Sequence, residues 1–134
     1  MRIEGWAADT DALAGFLEEA NLARLGTIDE DGDPHVVPVW FAWDEGRFLV
    51  GADAGDHKVA NLRRSGRASL EIDSDLRRKR GILVRGAAVL VDGEAGRKRY
   101  RAISELQVRR YQPDKDAVAA AERMAARGAP VVIE

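Results

Sequence analysis

Apolar and polar positions along the chain alternate between two periods, and the period predicts the element. Leu13, Phe16, Leu17 and Ala20 recur at helical spacing, so the first helix presents a core-facing stripe, with Asp9 or Thr10 as its cap. Leu22 to Ile28 reads as a strand, and the polar Asp29 to Pro34 stretch, holding Gly32, as the turn that ends it. From His35 to Trp43 polar side chains almost vanish: Val37, Val39, Phe41 and Trp43 fall on one face of a strand, and Val36, Pro38, Trp40 and Ala42 on the other. A strand wetted on one side alternates apolar with polar, so this one is expected to be covered on both. The core covers one face; the other calls for a second subunit or a flat ligand. Pro38 cannot donate to a ladder and places the strand at an edge or a bulge. Asp44-Glu45-Gly46 is a hairpin turn, and Phe48 to Ala52 the returning strand.

A Gly-containing loop, Gly51 to Lys58, then opens a short helix over Lys58 to Arg64 that Ser65-Gly66 stops. A loop entering a helix leaves backbone N–H groups unpaired at the positive end of the helix dipole, which favours an anion, and His57 and Lys58 add positive charge. An ordinary connection with a solvated lysine is the other reading, since neither a Walker loop nor a GxGxxG motif is present. Ala68, Leu70 and Ile72 alternate with Ser69, Glu71 and Asp73 in a half-buried strand, followed by a charged loop from Ser74 to Arg80. Gly81 to Val91 reads as one long strand, small in its middle at Gly86, Ala87 and Ala88, and Asp92-Gly93 ends it. A helix over Glu94 to Tyr111 places Tyr100, Ile103, Gln107 and Tyr111 on one face. Gln112-Pro113-Asp114 breaks it, a helix from Asp116 to Arg127 stops at Gly128, and Pro130 to Glu134 is a last short strand. Together these predict a single α+β domain over residues 1–134: about six mostly antiparallel strands with flanking helices, forming a small closed barrel.

Composition narrows the chemistry. The 134 residues carry 21 Lys and Arg against 23 Asp and Glu, a net charge of −2, which is no signature of a nucleic-acid or membrane partner. The basic run Arg77 to Arg80 lacks the aromatic interleaving that single-stranded nucleic acid uses. There is no cysteine, so disulfides, thiol nucleophiles and zinc-thiolate sites are excluded. His35 and His57 match no metal-ligand spacing, and no GxSxG or other nucleophile motif occurs, so no metal site and no catalytic residue are assigned. No apolar run approaches the ~20 residues that span a bilayer, and no signal-peptide pattern opens the chain, so a cytoplasmic protein is expected.

The succession DGDPHVVPVWFAWDEGRF, then GDHKVANLRRSGRASLEI, then RGAAVLVDG resembles the pyridoxamine 5′-phosphate oxidase-like superfamily of split β-barrels (the FMN-binding-like fold), and most of all its flavin- and deazaflavin-dependent oxidoreductase branch. The likeness runs roughly from Leu13 to Glu134. It implies a homodimer with the cofactor between subunits, its ring along the strand near Val37, Pro38, Val39 and Trp40. It implies a phosphate near Ala52, His57 and Lys58, with Asn61 close by. Cofactor-binding members usually carry Ser-Arg-Lys where this chain has Asp56-His57-Lys58, so a carboxylate replaces a hydroxyl and an imidazole a guanidinium. Asp56 either repels the phosphate or caps the helix. The basic loop, through Arg78 and Lys79, suits the polyglutamate tail of the deazaflavin coenzyme F420 and favours F420 over FMN. The implied activity is hydride transfer from reduced F420 to a small conjugated substrate. An FMN-dependent reductase or oxidase, or a non-enzymatic cofactor or haem binder, are the alternatives.

Overall fold

The long apolar run at His35 to Trp43 does not stay in one sheet. In the computed structural model, which describes every residue except Ala7, Asp75, Leu76, Arg78 and Lys79, the run divides into β3 (Pro34–Val39) and β4 (Ala42–Asp44). The second long strand divides likewise, into β7 (Gly81–Ala87) and β8 (Leu90–Val91). Among the described residues there are nine strands rather than about six. The others are β1 (Arg2–Gly5), β2 (Ala23–Ile28), β5 (Arg47–Asp53), β6 (Arg67–Asp73) and β9 (Pro130–Ile133). Four helices accompany them: α1 (Ala12–Glu18), α2 (His57–Ser65), α3 (Gly93–Tyr111) and α4 (Ala117–Ala125).

All strand pairs are antiparallel, in two sheets: β1-β7-β6-β2-β3 and β4-β5-β9-β8. The expected closed barrel is therefore an open pair of sheets joined at two corners, the β3–β4 and β7–β8 breaks. The corner explains the missing polar face. Inward-facing Val39 and Phe41 are buried in the core between the sheets, while past the corner Ala42 turns to a second cluster with Ile103 of α3. Before the corner the outer face is open, and Val36 is 62% exposed. β3 is an edge strand, as Pro38 requires.

The core draws Leu25, Leu70, Ile72, Ile82 and Val84 from the larger sheet and Phe48, Val50 and Ile133 from the smaller, closed by Phe16 and Leu17 of α1 and Val59 and Leu62 of α2. α3 covers the other side of the smaller sheet through Ile103, and α4 packs on α3 through Ala117 and Ala120 beside Val108. Local signals hold at several junctions. Glu45 (φ 47°) and Gly46 (φ 78°) make the β4–β5 turn with two left-handed residues, the geometry that matches strand twist. Gly66 (φ 64°) ends α2, and the Asp116 carboxylate accepts from the Ala119 N–H at 3.1 Å to cap α4. α1 differs: its cap position is Asp11, without a side-chain cap bond, and it ends before Ala20. Among the described residues no helix is long and apolar enough to cross a membrane.

Candidate functional site

The loop from β5 into α2 is held by its own carboxylates. Asp53 accepts from the Gly55 N–H at 3.0 Å and from the Ala129 N–H at 2.8 Å, tying the loop to the turn before β9. Those two backbone bonds hold the Asp53 carboxyl below the usual carboxylate range. Asp56 stands at the cap position of α2, with extended backbone (φ −69°, ψ 141°), yet its side chain makes no cap bond. Its Oδ2 turns back to accept from the Asp53 N–H at 3.0 Å and from Lys58 Nζ at 2.5 Å. Burial pushes the Asp56 carboxyl up, but the Lys58 ammonium and the Asp53 N–H outweigh it and leave the group below its ordinary value. The expectation that Asp56 caps α2 is thus corrected. A cation two residues into the helix, with its side chain only 17% exposed, competes for the carboxylate and takes it.

One face of α2 then carries a polar chain into the protein. Asn61, 1% exposed, donates from its amide to Thr27 Oγ1 at 3.0 Å and accepts from Arg64 at 3.3 Å; Arg64 also donates to the Ile28 carbonyl. Thr27 of β2 lies directly opposite His35 of β3, with Oγ1 3.4 Å from Nδ1. The His35 ring stacks on His57 at a centroid distance of 4.7 Å and an interplanar angle of 29°. Residues 22 positions apart are thereby joined, and the start of α2 is fixed beside the start of β3.

The candidate residues divide. His57, Lys58 and Asn61 share this cluster, but Asn61 is committed to Thr27 and serves the packing of α2 on β2. Val37 is half-buried toward the core, Val39 is buried, and Pro38 is exposed on the outer face opposite Arg24. Trp40 lies beyond the end of β3. It stacks on Tyr111 of α3 (5.0 Å, 11°) and packs against Val108, Ala117 and Ala120. Five extended residues, roughly 17 Å, separate it from His35. The Ala52 side chain is in the core, so only its backbone borders the loop. Arg78 and Lys79 lie outside the described residues. Their neighbour Arg80 is structural: it pairs with Glu19 at 2.8 Å and lies over the rings of Trp6 (5.1 Å) and Phe16 (5.4 Å). Sequence reasoning missed Thr27 and Asp53, and treated His35 apart from His57. Only the β2–β3 register, which sets Thr27 against His35, could have joined them.

An imidazole and an ammonium at a helix start whose cap carboxylate is turned aside form a donor set for an anion such as a phosphate. The residues fit such a group, with the Asp53 and Asp56 carboxylates as the opposing charges. Among the described residues no cluster of three or more His, Asp or Glu is placed to hold a metal ion.

Comparison with known proteins bears on the family and the fold. The family model described as pyridoxamine 5′-phosphate oxidase matches residues 9–129. Over 62 residues the chain is 45% identical to the F420H(2)-dependent biliverdin reductase of Mycobacterium tuberculosis (strain CDC 1551 / Oshkosh). That match spans 45% of this chain and 44% of the relative, so the alignment covers under half of the relative's length. Among solved structures, the conserved hypothetical protein Rv2991 of Mycobacterium tuberculosis superimposes with a TM-score of 0.77 at 24% identity, over 99% of this chain and 83% of that one. A structure named F420 Reductase gives 0.67 at 23% identity, over 89% and 87%. HutZ, the heme storage protein of Vibrio cholerae, gives 0.70 at 14% identity, over 92% and 85%. At these identities the structures speak to the fold alone.

Proposed function

The chain belongs to the pyridoxamine 5′-phosphate oxidase family, and on that premise we propose that it is an oxidoreductase that binds coenzyme F420 and reduces a small conjugated substrate. The observation that carries the reading is the 45% identity to an F420H(2)-dependent reductase. The imidazole of His57 and the ammonium of Lys58 at the start of α2 support it as a place for the cofactor's phosphate. In its reduced form F420 supplies a hydride; the chain's part is to bind, orient and exclude water. Lys58 and His57 would hold the phosphate, and the backbone of β3 from Val37 to Val39 would border the ring. Trp40, stacked on Tyr111, would close the far end of that strand against α3. No side chain is assigned as a proton donor.

A homodimer is part of the same proposal. Val36, Pro38 and Ile28 are exposed on the outer face of the β2–β3 hairpin, which gives that edge an apolar surface for a second subunit to cover. An obligate interface buries on the order of 2,000 Å² or more, and sedimentation at micromolar concentration tests it, a monomer counting against it. The cofactor is tested by titrating the purified protein with F420 and, separately, with FMN, following fluorescence. Tighter binding of F420 is expected. Co-purified flavin without F420 binding would turn the reading to an FMN-dependent reductase, and binding of neither would overturn it.

A further inference from the structure

The two sheets leave space between them at the end of β5 remote from Asp53. A cavity of about 360 Å³ lies there, walled by Leu25, Phe48, Val50, Leu70, Val84 and Ile133. Ala68 and Ala88 also line it, and their small side chains leave it unfilled. Its mouth opens by Arg47, Glu134, Met1 and Val89. None of the lining residues belongs to the polar cluster at the start of α2. Arg47 and Asp53 are six residues apart on β5, about 20 Å along an extended strand.

Protein interiors pack like organic crystals, and an interior of this kind is ordinarily just filled by its own side chains. A gap forfeits the dispersion contacts of every atom on its wall. This gap reaches the range of about 300–1,000 Å³ typical of small-molecule sites. Its rim is also preformed. The Val89 N–H donates to the Glu134 carbonyl at 2.8 Å, and the Glu134 N–H to the Val89 carbonyl at 2.9 Å. The chemistry of an occupant follows from the lining. The walls are aliphatic and aromatic, which favours an apolar guest. The charged side chains at the mouth already answer one another, Arg47 pairing with Glu134 at 3.0 Å and Glu134 also with Arg99, so an ionic ligand finds no free counter-charge in that pair.

We propose that this cavity is a second ligand site, taking an uncharged apolar small molecule of about the size of a bicyclic aromatic, separate from the anion cluster at α2. Met1, 68% exposed at the mouth, is the adaptable side chain that would close over it.

The test is a fluorescence titration of the full chain with N-phenyl-1-naphthylamine, an uncharged apolar probe, beside a thermal melt with saturating naphthalene. Expected are a saturable, blue-shifted enhancement and a naphthalene-dependent rise in Tm, as binding to the folded state alone requires. Ala68→Leu and Ala88→Leu fill the space from two different strands or corners. Each should weaken the probe at least tenfold while leaving circular dichroism and F420 binding unchanged. Folded wild-type protein that neither binds the probe saturably nor gains Tm with naphthalene would overturn the proposal. So would undiminished binding in a folded filling variant. Should both variants fail to fold, the wild-type Tm response decides alone.

Discussion

The two ends of β5 hold opposite kinds of environment. At Asp53 the strand runs into a loop whose carboxylates are already answered, by the N–H groups of Gly55 and Ala129 and by Lys58. At Arg47 it borders an apolar space that no described side chain fills. The first end is governed by charge and hydrogen bonding, the second by volume. A substitution at the polar end therefore shifts affinity and pH response, and one at the apolar end shifts stability and packing. The contrast also explains why one end was visible in the residues and the other was not. A charge is a property of a residue, whereas a void is a sum over several strands.

The largest effect should come from the apolar end. Leu70→Ala enlarges a space that already exists, so the sheets have little left to collapse onto. The loss should be about 2–5 kcal/mol of stability, read by urea denaturation. A loss under 1 kcal/mol would mean that the sheets close up, and would weaken the contrast.

At the polar end the largest effect should be on ligand affinity. Lys58→Ala removes the ammonium nearest the start of α2. A charge-assisted hydrogen bond is worth roughly 1.5–3 kcal/mol, so F420 binding should weaken about 10- to 100-fold with the fold intact. Unchanged affinity in a fluorescence titration would move the phosphate away from α2. Asn61→Ala tests the other face of the same helix. It leaves the buried Thr27 hydroxyl without its donor and should cost about 1–3 kcal/mol in denaturation. That places its effect on stability rather than on chemistry.

Much of the architecture was legible where the signal is local. The Glu45-Gly46 turn, the stop at Gly66, the break at Gln112 to Asp114 and the basic entry to α2 all follow from neighbouring residues. The corners were not, because side-chain alternation continues through a bend. Nothing in the period of His35 to Trp43 or of Gly81 to Val91 marks where the strand changes sheets. β1 escaped because four residues with Ile3 as the sole half-buried member carry too little pattern. At the candidate site, Lys58 and His57 were legible as charges at a helix start. The stacking of His57 on His35 and the turn of Asp56 away from its cap position were not, since both depend on tertiary neighbours.

The smallest expected effect is also the one that separates attraction from repulsion at the polar end. Asp53 and Asp56 both have folded-state pKa values below the unfolded carboxylate value of about 3.9. Their contribution to stability is therefore complete above that value and is lost as pH falls through the lowered one. Acid unfolding, followed by tryptophan fluorescence, should begin below about pH 4. Asp53→Asn and Asp56→Asn should each lower stability near pH 7 and flatten the curve in acid, so that variant and wild type converge as pH falls. Asp56→Ser goes further. Serine can cap α2, so the helix loses little, and Lys58 is released from its 2.5 Å partner. Freeing the lysine from this partly buried pair should tighten F420 binding. In a Lys58→Ala background the gain should shrink, because no ammonium remains to be freed. An equal gain in both backgrounds would show that Asp56 acts on the anion by repulsion rather than by holding Lys58. No gain in either would place the bound anion out of reach of the Asp56 carboxylate.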